Sequence, residues 1–334
     1  MSAPVVSILG AGGWGTALAV LFADRGMPVN LWGYDAGQVA RLRATRANDR
    51  YLPGVTLPDL IQPTNDLLQC IHADVILFVT PSKAIRAVAE QFSNLHLPPE
   101  TPLVSCTKGI EHETGLRMSE VLREYFPLSP IGALSGPNHA EEIARRMPAA
   151  GVVGFPDLTV AERLQPLFST PYFRAYTTDD AAGVELGGAL KNIYAIAAGV
   201  SDGLGFGDNS KAALLTRALV ELVRLGVVLG GRRETFYGLS GIGDLMVTCF
   251  SRHSRNRGLG ERLGRGESLE TITAGMTGIA EGLPTTRSAF ECARRAGVST
   301  PIIDQVHAML FEGKAPRTVL LELMSRDPRP EQTT

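Results

Sequence analysis

Cysteine is scarce in this chain, and its four residues share no pattern. Cys70, Cys106, Cys249 and Cys292 lie far apart and form no CxxC pair. That fits reduced thiols in a cytosolic compartment better than a disulfide frame or a zinc site. The six histidines are equally scattered, without the spacing of metal ligands. An excess of charge of one sign is also missing. The formal net charge of -2 argues against general affinity for nucleic acid or an anionic membrane. Any recognition of phosphate must therefore be local. No long hydrophobic run is present: the most apolar later segment, 219–229, is broken by Glu221 and Arg224, so no membrane span is expected. From Met1 the sequence enters an apolar strand with no basic leader or cleavage site, which predicts a cytoplasmic protein.

What is present suits a soluble globular protein: 334 residues, of which 44% are apolar and 20% charged. That length exceeds one ordinary core and points to two domains. Val5 to Leu9 reads as a buried strand and Thr16 to Phe22 as a helix. Between them lies Gly10-Ala11-Gly12-Gly13-Trp14-Gly15, a G-x-G-x-x-G turn. Gly10 permits the tight turn, Gly12 lets a pyrophosphate approach the backbone, and Gly15 lets helix and strand pack closely. The helix start offers unpaired N–H groups and partial positive charge to phosphates. Pro28 to Trp32 completes a βαβ unit. An acid just after that strand would favour NAD and a base NADP; here Gly33-Tyr34-Asp35 leaves the preference open. Arg41 to Leu52 reads as a loop or short-helix excursion whose arginines form a solvated face.

Further strands at 75–79, 103–106 and 131–134 end in Thr80-Pro81-Ser82, Thr107-Lys108-Gly109 and Ser135-Gly136-Pro137-Asn138. Ligands of open α/β sheets sit outside the carboxyl ends of strands, so these three ends should converge on one edge. Lys108 is placed there to meet an anionic substrate. The last strands are expected at 151–154 and 172–176, and beyond residue 180 the pattern turns helical.

The stretch 184–200 has helical length, no proline, and one cation among small and apolar residues. On a 3.6-residue period Gly187, Gly188, Ala195 and Ala198 share the face of Lys191, so a backbone or a ligand must lie against it. Burial there disfavours an ammonium and lowers its pKa; the competing reading is a lysine snorkelling to water. Asp208 and Asn209 suit capping of the long helix that follows. Asp244, after the Gly238–Gly243 loop, can cap a helix, pair with Lys191, or do both. Ser254-Arg255-Asn256 combines cap-type residues with a planar phosphate-gripping donor. The alternative is a basic surface loop.

The ordered set of motifs resembles soluble NAD(P)-dependent glycerol-3-phosphate dehydrogenases over nearly the whole chain. It comprises the glycine turn with Trp14, Cys106-Thr107-Lys108-Gly109, Ser135-Gly136-Pro137, Leu190-Lys191-Asn192 and Gly207-Asp208-Asn209. Gly241-Ile242-Gly243-Asp244-Leu245, Ser254-Arg255-Asn256 and Glu281-Gly282 complete it. The resemblance implies an N-terminal Rossmann-type doubly wound α/β sheet followed by an all-α C-terminal domain. The expected division is 1–180, 181–326, and a polar tail at 327–334. It implies reversible NAD(P)H-dependent reduction of dihydroxyacetone phosphate to sn-glycerol 3-phosphate, which feeds phospholipid synthesis. The implied proton donor is Lys191, with Lys108 polarising substrate and Asp244 beside both lysines. Gly136, Asn138, Lys108, Lys191, Asp244, Ser254, Arg255 and Asn256 are the implied substrate positions. Gly10, Gly12, Gly13, Trp14, Gly15, Tyr34, Lys108, Ala140, Arg255 and Glu281 are the cofactor positions, for NAD or NADP. A homodimer is compatible with this reading. The sequence departs from the family's usual pattern at Asn138-His139, where Ser-Phe or Thr-Phe is common, and at Tyr34, often arginine in NADPH-using members.

Two other functions compete. A dehydrogenase of hydroxyacids or sugar acids shares the architecture but needs no phosphate clamp. A non-catalytic dinucleotide sensor would bind nucleotide without turnover.

Overall fold

The computed structural model describes residues 3–276, 278–325 and 330–331. Among the described residues ten strands occur: β1 (Val6–Leu9), β2 (Val29–Trp32), β3 (Ala47–Asn48), β4 (Leu52–Thr56) and β5 (Ile61–Thr64), then β6 (Val75–Phe78), β7 (Leu103–Ser105), β8 (Ile131–Ser135), β9 (Ala149–Gly154) and β10 (Phe173–Thr178). Eight form one sheet in the order β10-β9-β8-β7-β6-β1-β2-β5, while β3 and β4 pair as a small antiparallel ribbon. The run β5-β2-β1-β6-β7-β8 is parallel throughout, and the order of strand addition switches sides between β1 and β6. That switch creates the crevice in which doubly wound sheets take dinucleotides. β9 runs antiparallel to β8, and β10 follows β9 in parallel. The apolar runs that read as strands are buried on both faces, as β1, β6 and β8 show.

The segment expected to be a solvated excursion is more ordered than its composition suggests. Helix Ala36–Thr45, capped by Asp35, is followed by the ribbon and by β5, an edge strand whose Pro63 and Gln62 hid it from a hydrophobicity reading. Its arginines mostly remain exposed, but the segment also braces the glycine turn. Gln38 Nε2 and Asn48 Nδ2 donate to Ala11 O at 2.7 and 3.1 Å.

After β10 the chain is helical. Helix Ala181–Gly203 begins with the Asp180 carboxylate accepting from Gly183 N, and almost every residue after it is buried. Six further helices of seven residues or more follow: Asp208–Val228, Asp244–Phe250, Arg255–Gly264, Gly282–Arg295, Pro301–Phe311 and Pro316–Met324. Gly207, not Asp208 or Asn209, occupies the cap position of the first; those two residues open its first turn, where the Asp208 carboxylate still meets the positive helix end. None of the described helices is long and apolar enough to cross a membrane. Of the polar tail expected from 327, all but Pro330 and Glu331 lies outside the described residues.

Helix Ala181–Gly203 meets Arg255–Gly264 backbone against backbone. A Cβ on Gly199 would overlap the Arg257 carbonyl and lie 2.8 Å from Glu261 N, and one on Gly264 would lie 2.6 Å from Val200 O. Neither backbone can retreat without unpacking the core around Ile196 and Leu259. Gly199→Ala is therefore expected to destabilise the protein by about 1–3 kcal/mol through overpacking. An unchanged urea midpoint would show that the crossing has more slack than its geometry allows.

Candidate active site

The glycine turn is built by close approach. Gly10 has φ +135°, and a Cβ there would lie 2.5 Å from Val79 O, at the end of the neighbouring strand β6. A Cβ on Gly15 would overlap Gly10 O, so helix Gly13–Ala23 can start only where residue 15 is bare. A Cβ on Gly12, by contrast, meets nothing within 4 Å. The turn thus presents open backbone at the start of an 11-residue helix with no acidic residue in its first turn. Trp14 Nε1 and Thr80 Oγ1, at the ends of this crevice's two walls, are buried without hydrogen-bond partners. An acid at Gly33 would be crowded, since a Cβ there would meet Val39 and Ala11 at 3.0 and 3.2 Å. Tyr34 beside it is 83% exposed. Asp35 is committed to capping through Gln38 N at 3.1 Å; that bond, with Arg41 and Arg50 nearby, holds its carboxyl below the usual range.

Three chain segments meet at Asp244. This residue starts helix Asp244–Phe250 and is only 1% exposed. One carboxylate oxygen accepts from Lys191 Nζ at 2.8 Å and the other from Lys108 Nζ at 2.5 Å. Lys108 also donates to Gly136 O at 3.1 Å, and Lys191 to Thr248 Oγ1 at 2.5 Å. The sheet thus supplies one ammonium, helix Ala181–Gly203 the other, and a third element the shared anion. Lys191 does not snorkel; it is 5% exposed. The small-residue face around it is used as its spacing predicts. A Cβ on Gly187 would lie 2.5 Å from Ser240 O, and one on Gly188 would overlap Ser135 Oγ and reach Lys108 Cδ at 3.5 Å.

Burial pulls the Lys191 ammonium down to about 8; Asp244 resists that shift and Lys108 adds to it. For Asp244, burial works to raise the carboxyl, but the two ammonium groups outweigh it and hold it below the carboxylate range. The result is an amine that can exist in either protonation state near neutrality, held by an anion that stays charged.

The second polar cluster lies on the helix Arg255–Gly264. Ser254 caps it, accepting from Arg257 N at 3.1 Å. Arg255 points outward, beside Gly278 and close enough to act on Glu281. Asn256 turns inward: it donates to Asn192 Oδ1 and accepts from Gly282 N, both at 2.8 Å. Its amide thereby ties two helices together. Glu281 accepts from Ser82 N and Ser82 Oγ at 3.2 and 2.6 Å, across the seam between sheet and helices. Asn138, oriented to donate, reaches Ala150 O at 2.9 Å and Pro137 O at 3.1 Å. Ala140 opens a short helix, and its Cβ lies 3.9 Å from where one on Gly13 would be.

Comparison with known proteins resolves which dehydrogenase architecture this is. Residues 5–161 match the family model for the N-terminus of NAD-dependent glycerol-3-phosphate dehydrogenase, and residues 180–321 match the one for its C-terminus. The chain belongs to that family. A glycerol-3-phosphate dehydrogenase [NAD(P)+] of Chlorobium limicola is 47% identical over 330 residues, covering 98% of this chain and 99% of its own. One from Syntrophotalea carbinolica has the same identity and coverage. The crystal structure of a glycerol-3-phosphate dehydrogenase from Coxiella burnetii superposes with a TM-score of 0.93 at 37% identity, over 97% of this chain and 99% of that one. Within a family named for NAD, the open Gly12 backbone, the helix start and the unpartnered Trp14 and Thr80 atoms fit a dinucleotide.

Several neighbours of this site escaped the sequence reading. Thr248 lies one helical turn beyond Asp244, a spacing that puts both on one face and could have flagged it. Ser82 and Asn192 lay inside quoted motifs but carried no separate signal. Asn48, the brace of the glycine turn, could not be found from a segment whose composition reads as solvated.

Proposed function

We propose that this protein catalyses reversible NAD(P)H-dependent reduction of dihydroxyacetone phosphate to sn-glycerol 3-phosphate, with Lys191 as general acid and, in reverse, general base. The observation that carries this reading is the buried Lys108–Asp244–Lys191 bridge at the seam beside the dinucleotide crevice. The bound coenzyme supplies the hydride. What the chain supplies is a proton donor and a second cation. A ketone oxygen gaining negative charge is stabilised by Lys108 and takes its proton from Lys191 Nζ. Asp244 keeps both amines aimed at one point, and Thr248 restricts the Lys191 rotamer.

Gly10, Gly12, Gly13, Trp14 and Gly15 would hold the pyrophosphate and Tyr34 the adenosine end. Lys108, Ala140, Arg255 and Glu281 flank the remaining length. Gly136, Asn138, Ser254, Arg255 and Asn256 border the substrate, with Arg255 as its exposed phosphate donor. Asn256 contributes chiefly by fixing the helix start that presents Arg255. The division at 180/181 separates a coenzyme domain from a substrate domain, and the product suits the supply of glycerophospholipid synthesis.

The test is oxidation of NADH and of NADPH with dihydroxyacetone phosphate, set beside unphosphorylated ketoacids. Turnover confined to ketoacids would assign the site to the hydroxyacid class instead. Binding of coenzyme with no turnover on either would leave only the sensor. Arg255→Ala is expected to raise KM for the phosphorylated substrate about 10- to 100-fold, the worth of a charged hydrogen bond. An unmoved KM would put the phosphate elsewhere.

A further inference from the structure

Beside the Lys108–Asp244–Lys191 bridge stands an imidazole that the reaction just described does not use. His139 follows the Gly136–Asn138 loop at the end of β8, on the sheet side of the seam. His253 comes from the helical side, one residue before Ser254. The two rings face each other across the seam with centroids 6.0 Å apart and planes inclined at 53°. His139 Nε2 is buried and has no hydrogen-bond partner. Buried polar atoms are nearly always partnered, so an orphan beside a binding cleft marks a partner that arrives with the ligand.

The groups facing this ring set its charge. Lys191 and Lys108 approach from the long helix and from the end of β7, Asp244 from its own helix, and Glu141 from the turn that His139 begins. His253 faces it with Arg252 and Arg255 on either side in sequence. Burial, and then the Lys191 ammonium, hold the imidazole neutral at a pH where a free histidine would begin to charge. Within the bridge itself, two ammonium groups against one carboxylate leave one excess positive charge. A phosphate monoester dianion more than cancels it, and the same ring then gains from being a cation.

We propose that His139, faced by the His253 ring, is a proton-accepting wall of the substrate cleft, which takes up a proton as a phosphate monoester dianion binds. The proton comes from bulk water and returns there when the phosphate leaves; no bond is made or broken. His139 Nε2 becomes a charged donor toward the substrate. The inference rests on the phosphorylated-substrate reading and adds to it a residue that the usual phenylalanine could not replace.

The sign follows from linkage. A ring kept neutral in the free enzyme and protonated in the complex strengthens binding at low pH, and this gain fades as pH rises through the value for the complex. The experiment compares His139→Phe and His139→Gln with the parent enzyme, by KM for dihydroxyacetone phosphate from about pH 6 to about pH 8.5. Taking the variant-to-parent ratio cancels both the phosphate's own ionisation and that of Lys191. The ratio is expected to be several-fold near pH 6, below the roughly tenfold ceiling of one unit of linked pKa, and to fall within about twofold near pH 8.5. With unphosphorylated dihydroxyacetone, which brings no charge, the ratio should be independent of pH. His253→Gln should reproduce part of the effect. Unaltered NADH affinity in the variants shows that the fold is intact, and the glutamine variant covers the case in which phenylalanine packs badly. A ratio flat with pH on the phosphorylated substrate overturns the proposal. A parent enzyme inactive on dihydroxyacetone phosphate overturns the functional reading first, and this with it.

Discussion

Lys191→Met is expected to lower kcat for reduction of dihydroxyacetone phosphate by about 10²–10⁴-fold, the usual worth of a positioned general acid. Methionine keeps the length and apolar packing of the stem, so helix Ala181–Gly203 should hold its place among its neighbours. Coenzyme affinity should change little, because the glycine turn and its braces lie on the sheet side. In the parent enzyme the direction of reaction fixes the pH limb. Reduction needs the ammonium, so its rate should decline as pH rises through about 8; oxidation needs the free amine and should rise over the same range. Both limbs should vanish in Lys191→Met. Survival of the limbs, or of turnover within tenfold of the parent, would take the proton-donor role from this residue.

Asp244→Asn tests the other member of the bridge and should damage stability as well as rate. The carboxylate is what opposes desolvation of Lys191. Without it the amine should lose its proton more easily, moving the reduction limb to lower pH. Two amines that shared an anion would then face each other across a neutral amide. Removing one partner of a buried charge network commonly costs about 3–5 kcal/mol. Here the loss should be smaller at high pH, where Lys191 can shed its charge, and largest in mild acid, where it cannot. Urea midpoints measured across that range, together with the rate profile, separate the two effects. A pH limb that stays near 8 would show that Asp244 does not set the ammonium's charge.

What could be read in advance follows from how local each signal is. The glycine turn, the buried strands and the lysine-bearing helix announce themselves through spacing within a dozen residues, and the structure has them where the spacing put them. Lys191 was legible because a cation on a bare helix face needs a partner. Its partner was nameable only as one of two roles for Asp244, since 53 residues separate them and no periodicity spans that gap. The same limit hid the meeting of His139 with His253, and of Glu281 with Ser82, 199 residues apart in sequence. β5 was lost for a different reason. An edge strand carrying Gln62 and Pro63 has neither the alternation nor the apolar run that marks a strand. Asn256 shows the converse, because a residue type suited to gripping a ligand is spent instead on joining two helices.

The shared anion has a consequence for recombination between related genes. Asp244 answers one amine from each side of the junction near residue 180, so the halves are not freely exchangeable parts. A chimera that brought a foreign sheet half would set whatever follows its fifth parallel strand against a carboxylate already engaged on its other oxygen. If that newcomer were not a cation, a desolvated oxygen would be left unanswered. Compatibility between parents at this crossover thus turns on a few side chains that answer a carboxylate from the other half: Lys108 for Asp244, Ser82 for Glu281 and Arg117 for Glu185.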